Sequence, residues 1–196
     1  MATKKKAWTE KEKKKIEIAK DVIKSLKVET LVKDTYMNIK WPPSGKYSLK
    51  KYAEEIANLF THLLNNKNDQ LQKYIPQLKK NCEVCAIGAF FLSTIDKYNQ
   101  CRVGDFVDKY CGFSVNTMNT KLRKIFSSRE LNVIETAFMG ILFNNSYESP
   151  LSNSDENDAL AFSKKFNNNK KRLKAICQNI IENGTFIPSK SDGKLK

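Results

Sequence analysis

The chain has little histidine, little arginine and no long apolar run. His62 is its single histidine, which excludes zinc sites built on two histidines and makes any nucleophilic triad depend on that one residue. It falls between Thr61 and Leu63 beside an apolar helical face, the setting of a core-edge histidine rather than a general base. No segment approaches the roughly 20 apolar residues needed to cross a bilayer, and no signal-peptide core follows the basic start MATKKKAWTEKEKKK. A Walker loop, GxGxxG and GxSxG are all missing, which removes the common nucleotide and hydrolase signatures. The expectation is a cytoplasmic protein with no membrane partner, no cofactor, no metal and no catalytic residue.

Lysine is abundant. The formal net charge over 196 residues is +14, and Arg102, Arg123, Arg129 and Arg172 are the only arginines. Both cations attract phosphates and acidic surfaces, but only the planar guanidinium reads carboxylates, phosphates or guanine edges bidentately. The charge therefore points to sequence-blind attraction, with nucleic acid or an acidic protein surface as partner. A rival explanation is compositional: an AT-rich coding sequence favours Lys, Asn and Ile together, as in NNKNDQ and FNNNKKRLK, with no selection for binding.

The five cysteines are Cys82, Cys85, Cys101, Cys111 and Cys177, an odd number in apolar surroundings, so reduced thiols are expected. Cys82-x-x-Cys85 would place two sulfurs on one side of a helix, with Cys101 and Cys111 as distant candidates to complete a zinc site. The second pair lacks knuckle spacing and the residues between the first two are those of a buried helix, so core packing is the preferred role. Glu54-Glu55, Asp105 with Asp108, and Asp155-Glu156 with Asp158 are carboxylate pairs whose spacing alone implies no acid/base or cation site. SNSDEND lacks the glycine and closing glutamate of a calcium loop and reads as solvated.

Periodicity supplies the elements. Thr9-Glu10-Lys11-Glu12 fits a capping box opening a helix to about Leu26, with Ile16, Ala19, Ile23 and Leu26 inward and lysines outward. Met37, Ile39 and Trp41 alternate as in a short strand before Pro42-Pro43. Helices are expected over Ser48–Leu64, in a turn at Leu71–Tyr74 stopped by Pro76, and from an Asn81 cap through an all-round apolar Val84–Ile95 segment. Gly88 there predicts close approach by another backbone. A short helix capped by Asp105 should run through Tyr110 and end at Gly112, and another should span Ser114–Phe126. Ser127-Ser128-Arg129-Glu130 opens a helix to Leu142 with Ile141 in its core stripe. The stretch 144–158 reads as a loop. Helices over Ala159–Phe166 and Lys171–Asn183 then lead to a left-handed stop at Gly184.

The expected fold is mainly α, one compact domain over residues 9–188 with about seven or eight helices around a central apolar helix. A short strand or hairpin is expected near 35–41, a basic tail at 1–8 and a disordered tail at 189–196. The candidate binding residues for nucleic acid or an acidic partner are Lys4, Lys5, Lys6, Lys11, Lys13, Lys14, Lys15, Lys20, Lys24, Lys46, Lys50 and Lys51. Lys170, Lys171, Arg172 and Lys174 form a second cluster, and Trp8, Tyr47 and Tyr52 are candidates for base stacking.

The segments IAKDVI (18–23), CAIGAFFLS (85–93), RELNVIETAF (129–138) and RLKAICQNIIENGTFIP (172–188) together resemble an uncharacterised family of small bacterial and phage proteins. The resemblance rests on core positions with Glu135, Asn179 and Asn183, and implies a phage or bacterial source but no activity. Two further functions stand beside electrostatic binding. One is a protein-interaction module such as a phage accessory, inhibitor or virion component. The other is an enzyme of unrecognised type using Glu135 with Asn179 or Asn183, which requires those side chains to converge in a cleft.

Overall fold

The computed structural model describes residues 7–33, 36–39, 49–107, 113–142 and 151–190. Among them are nine α-helices: α1 (Glu10–Ser25), α2 (Leu49–Asn65), α3 (Ile75–Asn81), α4 (Ala86–Tyr98), α5 (Val103–Phe106), α6 (Val115–Arg123), α7 (Ser128–Met139), α8 (Asn153–Lys164) and α9 (Asn169–Asn183). Three short strands join them: β1 (Thr30–Leu31), β2 (Met37–Ile39) and β3 (Cys82–Val84). The fold is mainly α, as the periodicity predicts, and β2 occupies the expected strand position. The chain divides into two units, one continuous (Ser25–Lys124) and one built from Met1–Lys24 together with Ile125–Lys196.

In the continuous unit β3 is the central strand, parallel to β1 and antiparallel to β2. Val84 pairs with Leu31 on one side and Met37 on the other. This sheet corrects the expected helix start at Asn81. Asn81 ends α3, Cys82 turns extended at φ −114° and ψ 148°, and Cys85 becomes the N-cap of α4. Cys82 and Cys85 therefore lie on a strand and a cap, because strand pairing has overridden a sequence that tolerates helix. Pro76 is a second correction. It sits in the first turn of α3, where a missing N–H costs nothing, so it starts a helix rather than stopping one.

From Ala86 to Ile95 every residue of α4 is buried, which explains its lack of a polar face. Gly88 meets the predicted close approach: a Cβ there would overlap the carbonyl oxygen of Tyr36. Phe91, Phe106 and Phe113 stack in series with ring centroids 4.9 Å apart, and Phe60 follows at 5.5 Å. Asp105 proves to be the third residue of α5, not its cap; its carboxylate accepts from the Arg102 N–H. The helix ends at Phe106, with Val107 extended, short of the expected run to Tyr110; Tyr110, Cys111 and Gly112 lie outside the described residues.

The second unit is knit by capped helices. Thr9 and Glu12 form the predicted reciprocal box, the Glu12 N–H donating to Thr9 Oγ1 at 3.2 Å and the Thr9 N–H to the Glu12 carboxylate at 2.7 Å. Ser127 accepts from the Glu130 N–H to open α7, and Gly140, at φ 74°, closes it. That left-handed stop leaves Ile141 55% exposed rather than in the core stripe. α8 overturns the loop expected through residue 158. Ser152 accepts from the Asp155 N–H, and Asp155 and Glu156 occupy the first turn, where their charge complements the helix dipole. Asn168 caps α9, and Gly184 at φ 77° ends it as expected.

Candidate polyanion-binding surface

The candidate lysines of α1 separate by their position on the helix. Lys11, Lys13, Lys14, Lys20 and Lys24 are exposed, while Ile16, Ile18, Ala19, Val22 and Leu26 are buried. At 100° per residue, Lys13, Lys20 and Lys24 fall within one narrow arc. Lys13 already bonds Glu10 at 2.6 Å, an exposed pair of little energetic weight. Lys15 turns inward: its side chain is 12% exposed, binds Glu130 at 2.5 Å, and lies 5.6 Å from the Phe126 ring centroid. Lys15 thus serves packing within its unit.

A denser cluster spans the connection from α8 to α9. Lys164, Lys165, Lys170, Lys171 and Lys174 are all exposed, and residues 164–174 contain no Asp or Glu. Lys170 and Lys171 sit in the first turn of α9 with no acidic residue there, against the preference of the dipole for negative charge. Arg172, grouped with them in the sequence, is instead buried. Its guanidinium donates to the carbonyls of Ser163 (3.3 Å), Phe138 (2.7 Å) and Phe166 (3.0 Å), tying α7 and α8 to α9. Burial also pulls its pKa below the usual guanidinium value. Lys164 and Lys165, absent from the candidate set, join the cluster because α8 ends beside them; the repeated KK flanking FNNN was the available signal.

Lys4, Lys5, Lys6, Lys46 and Tyr47 lie outside the described residues. Lys50, Lys51 and Tyr52 belong to α2, with side chains outside the description. Trp8 is half-buried, its ring 2.7 Å from where a Cβ on Gly184 would stand.

The alternative chemistries are placed as follows. Cys82, Cys85, Cys101 and Cys177 are buried thiols, and burial pushes that of Cys101 up to about 11. Among the described residues no group of three or more His, Cys, Asp or Glu side chains is arranged to hold a metal ion. No described helix is long and apolar enough to cross a membrane. His62 is exposed on α2, its ring edge-on to Tyr74 at 5.5 Å. Asn179 accepts from the Ile187 N–H and donates to the Ile187 carbonyl, and Asn183 donates to the Asn179 carbonyl, so both amides hold the C-terminal turn. Glu135 is buried on α7.

The charge itself is evenly divided. Residues 25–124 carry 16 Lys and Arg against 9 Asp and Glu, and the remainder carries 19 against 12, so each unit has a net +7. The chain matches no family model, no curated protein and no solved structure.

Proposed function

We propose that the protein is a non-enzymatic nucleic-acid binder that engages the phosphate backbone through exposed lysines without reading sequence. The observation that carries this reading is the 164–174 stretch, five exposed lysines across one helix connection with no carboxylate among them. Lys11, Lys20 and Lys24 on α1 supply further exposed cations in the same unit. Phosphate neutralisation releases condensed counterions, so affinity follows salt, while base identity requires forks and edges that lysine lacks. The burial of Arg172 removes one of only four guanidinium groups from any such reading role. Binding to random-sequence duplex and single strands, measured at two salt concentrations, should fall steeply as salt rises. Affinity unchanged between low and high salt sinks the proposal.

A second reading is a phage or bacterial protein-interaction module docking on an acidic partner. It is favoured by Ile141 and Leu142, adjacent apolar side chains 55% and 47% exposed beyond the end of α7. Pull-down with and without nuclease separates the two: nuclease-resistant capture supports the protein partner.

A further inference from the structure

The continuous unit has an open groove of about 600 Å³ that the electrostatic reading leaves unused. We propose that it binds a purine nucleoside monophosphate. α2 contributes Asn58, Leu59 and His62, and α3 contributes Pro76, Gln77, Lys80 and Asn81. Each set has the i, i+1, i+4 spacing that brings side chains to one helix face. The volume falls within the roughly 300–1,000 Å³ of small-ligand sites.

The lining chemistry selects the ligand. Among the described residues no carboxylate lines the groove; they offer an ammonium, an imidazole and three carboxamides. Lys80 and His62 suit a phosphate, the first as a three-donor cation and the second as a ring N–H donor. A carboxamide presents one donor and one acceptor side by side, the complement of the paired amine and ring nitrogen on an adenine edge. Leu59 and Pro76 supply apolar surface for the face of the heterocycle.

The supports of these groups are fixed within the same unit. Lys79, one residue before Lys80, is buried and donates to Ser25 Oγ at 2.7 Å, which sets the rotation of α3 and leaves Gln77 and Lys80 exposed. On α2 the Asn66 amide donates to the His62 carbonyl at 2.7 Å. The His62 ring meets Tyr74, which is buried and whose hydroxyl donates to Asp69 at 2.9 Å. Among the described residues, the charged groups near His62 include Lys80 along the groove and, behind Tyr74, Asp69 with its ion-pair partner Lys73.

The test is an amide NMR titration of the full-length protein with AMP, adenosine and inorganic phosphate in separate arms. Saturable AMP shifts at Asn58, His62, Gln77 and Asn81 are expected, with AMP tighter than either fragment. Lys80→Ala should weaken AMP by about tenfold, and Gln77→Ala should weaken AMP but not phosphate. Both side chains are exposed, and thermal unfolding of each variant verifies the fold. A variant with Lys164, Lys170, Lys171 and Lys174 changed to Ala should retain AMP while losing nucleic-acid affinity, which separates this inference from the preceding one. Linear, unsaturated shifts, or equal AMP affinity in wild type and Lys80→Ala, overturn it.

Discussion

Glu130 accepts hydrogen bonds from Lys15 Nζ, Thr185 Oγ1 and the Phe186 N–H, joining α1, α7 and the C-terminal turn. Its side chain and that of Lys15 are 7% and 12% exposed, so removing the carboxylate strands a buried ammonium. Glu130→Ala should cost about 3 kcal/mol, visible as a lower urea midpoint with an unchanged slope. Gly88→Ala forces a Cβ against the Tyr36 carbonyl and should cost about 2 kcal/mol, measured the same way. Cys101 supplies a pH test. Its raised pKa of about 11 means that the folded state favours the neutral thiol. That contribution is complete below the ordinary thiol range near about 8.5 and is lost as pH rises through the folded value. The stability difference between wild type and Cys101→Ala should therefore shrink at alkaline pH, while the native thiol resists modification near neutrality.

Caps decide where the helices begin. Ser114, Ser127, Ser152 and Asn168 each accept from the amide three residues on. Ser152→Ala should lower stability by about 1 kcal/mol. Asp155 adds acid sensitivity: its hydrogen bond to Arg129, then that to Ser152, hold its carboxyl below the usual range. A depressed folded pKa gives stability present above the unfolded value of about 3.9 and lost as pH falls through the folded one. Acid unfolding of Asp155→Asn should show a weaker dependence in that window. The reciprocal box at Thr9 and the serine cap at Ser127 were legible because hydroxyl and glutamate stand three apart before an apolar stripe, though the Glu130 carboxylate binds Lys15, Thr185 and Phe186. The start of α8 was harder to read because its acids and amides also suit a loop. Only the Ser152 hydrogen bond and the packing of Ala159 and Phe162 identify them as a first helical turn. At Cys82–Val84 local preference failed outright, since pairing with strands far away in sequence decides the conformation.

At the scale of the molecule, the net charge divides equally between two units, so total charge does not locate a binding face. The proposed face rests instead on exposure and carboxylate content. If duplex nucleic acid lies along the α8–α9 connection, each of Lys164, Lys170, Lys171 and Lys174 changed to Ala should lower the salt slope of log affinity by about one. Arg172→Ala should act differently, lowering stability first because three backbone carbonyls lose their donor. Lys170, Lys171 and Lys174 are exposed on α9 while Arg172 is buried, a difference that the sequence KKRLK does not display.

By itself the sequence determined the mainly α character, the caps of α1 and α7, the glycine stop of α9 and the close approach at Gly88, because each depends on neighbours within a turn or on a missing side chain. Tertiary structure alone decided that β3 interrupts a helical run, that residues 1–24 and 125–196 form one unit, and that Lys15 and Arg172 turn inward. Those outcomes depend on partners distant in the chain: a strand for Cys82, a buried carboxylate for Lys15, and three carbonyls for Arg172.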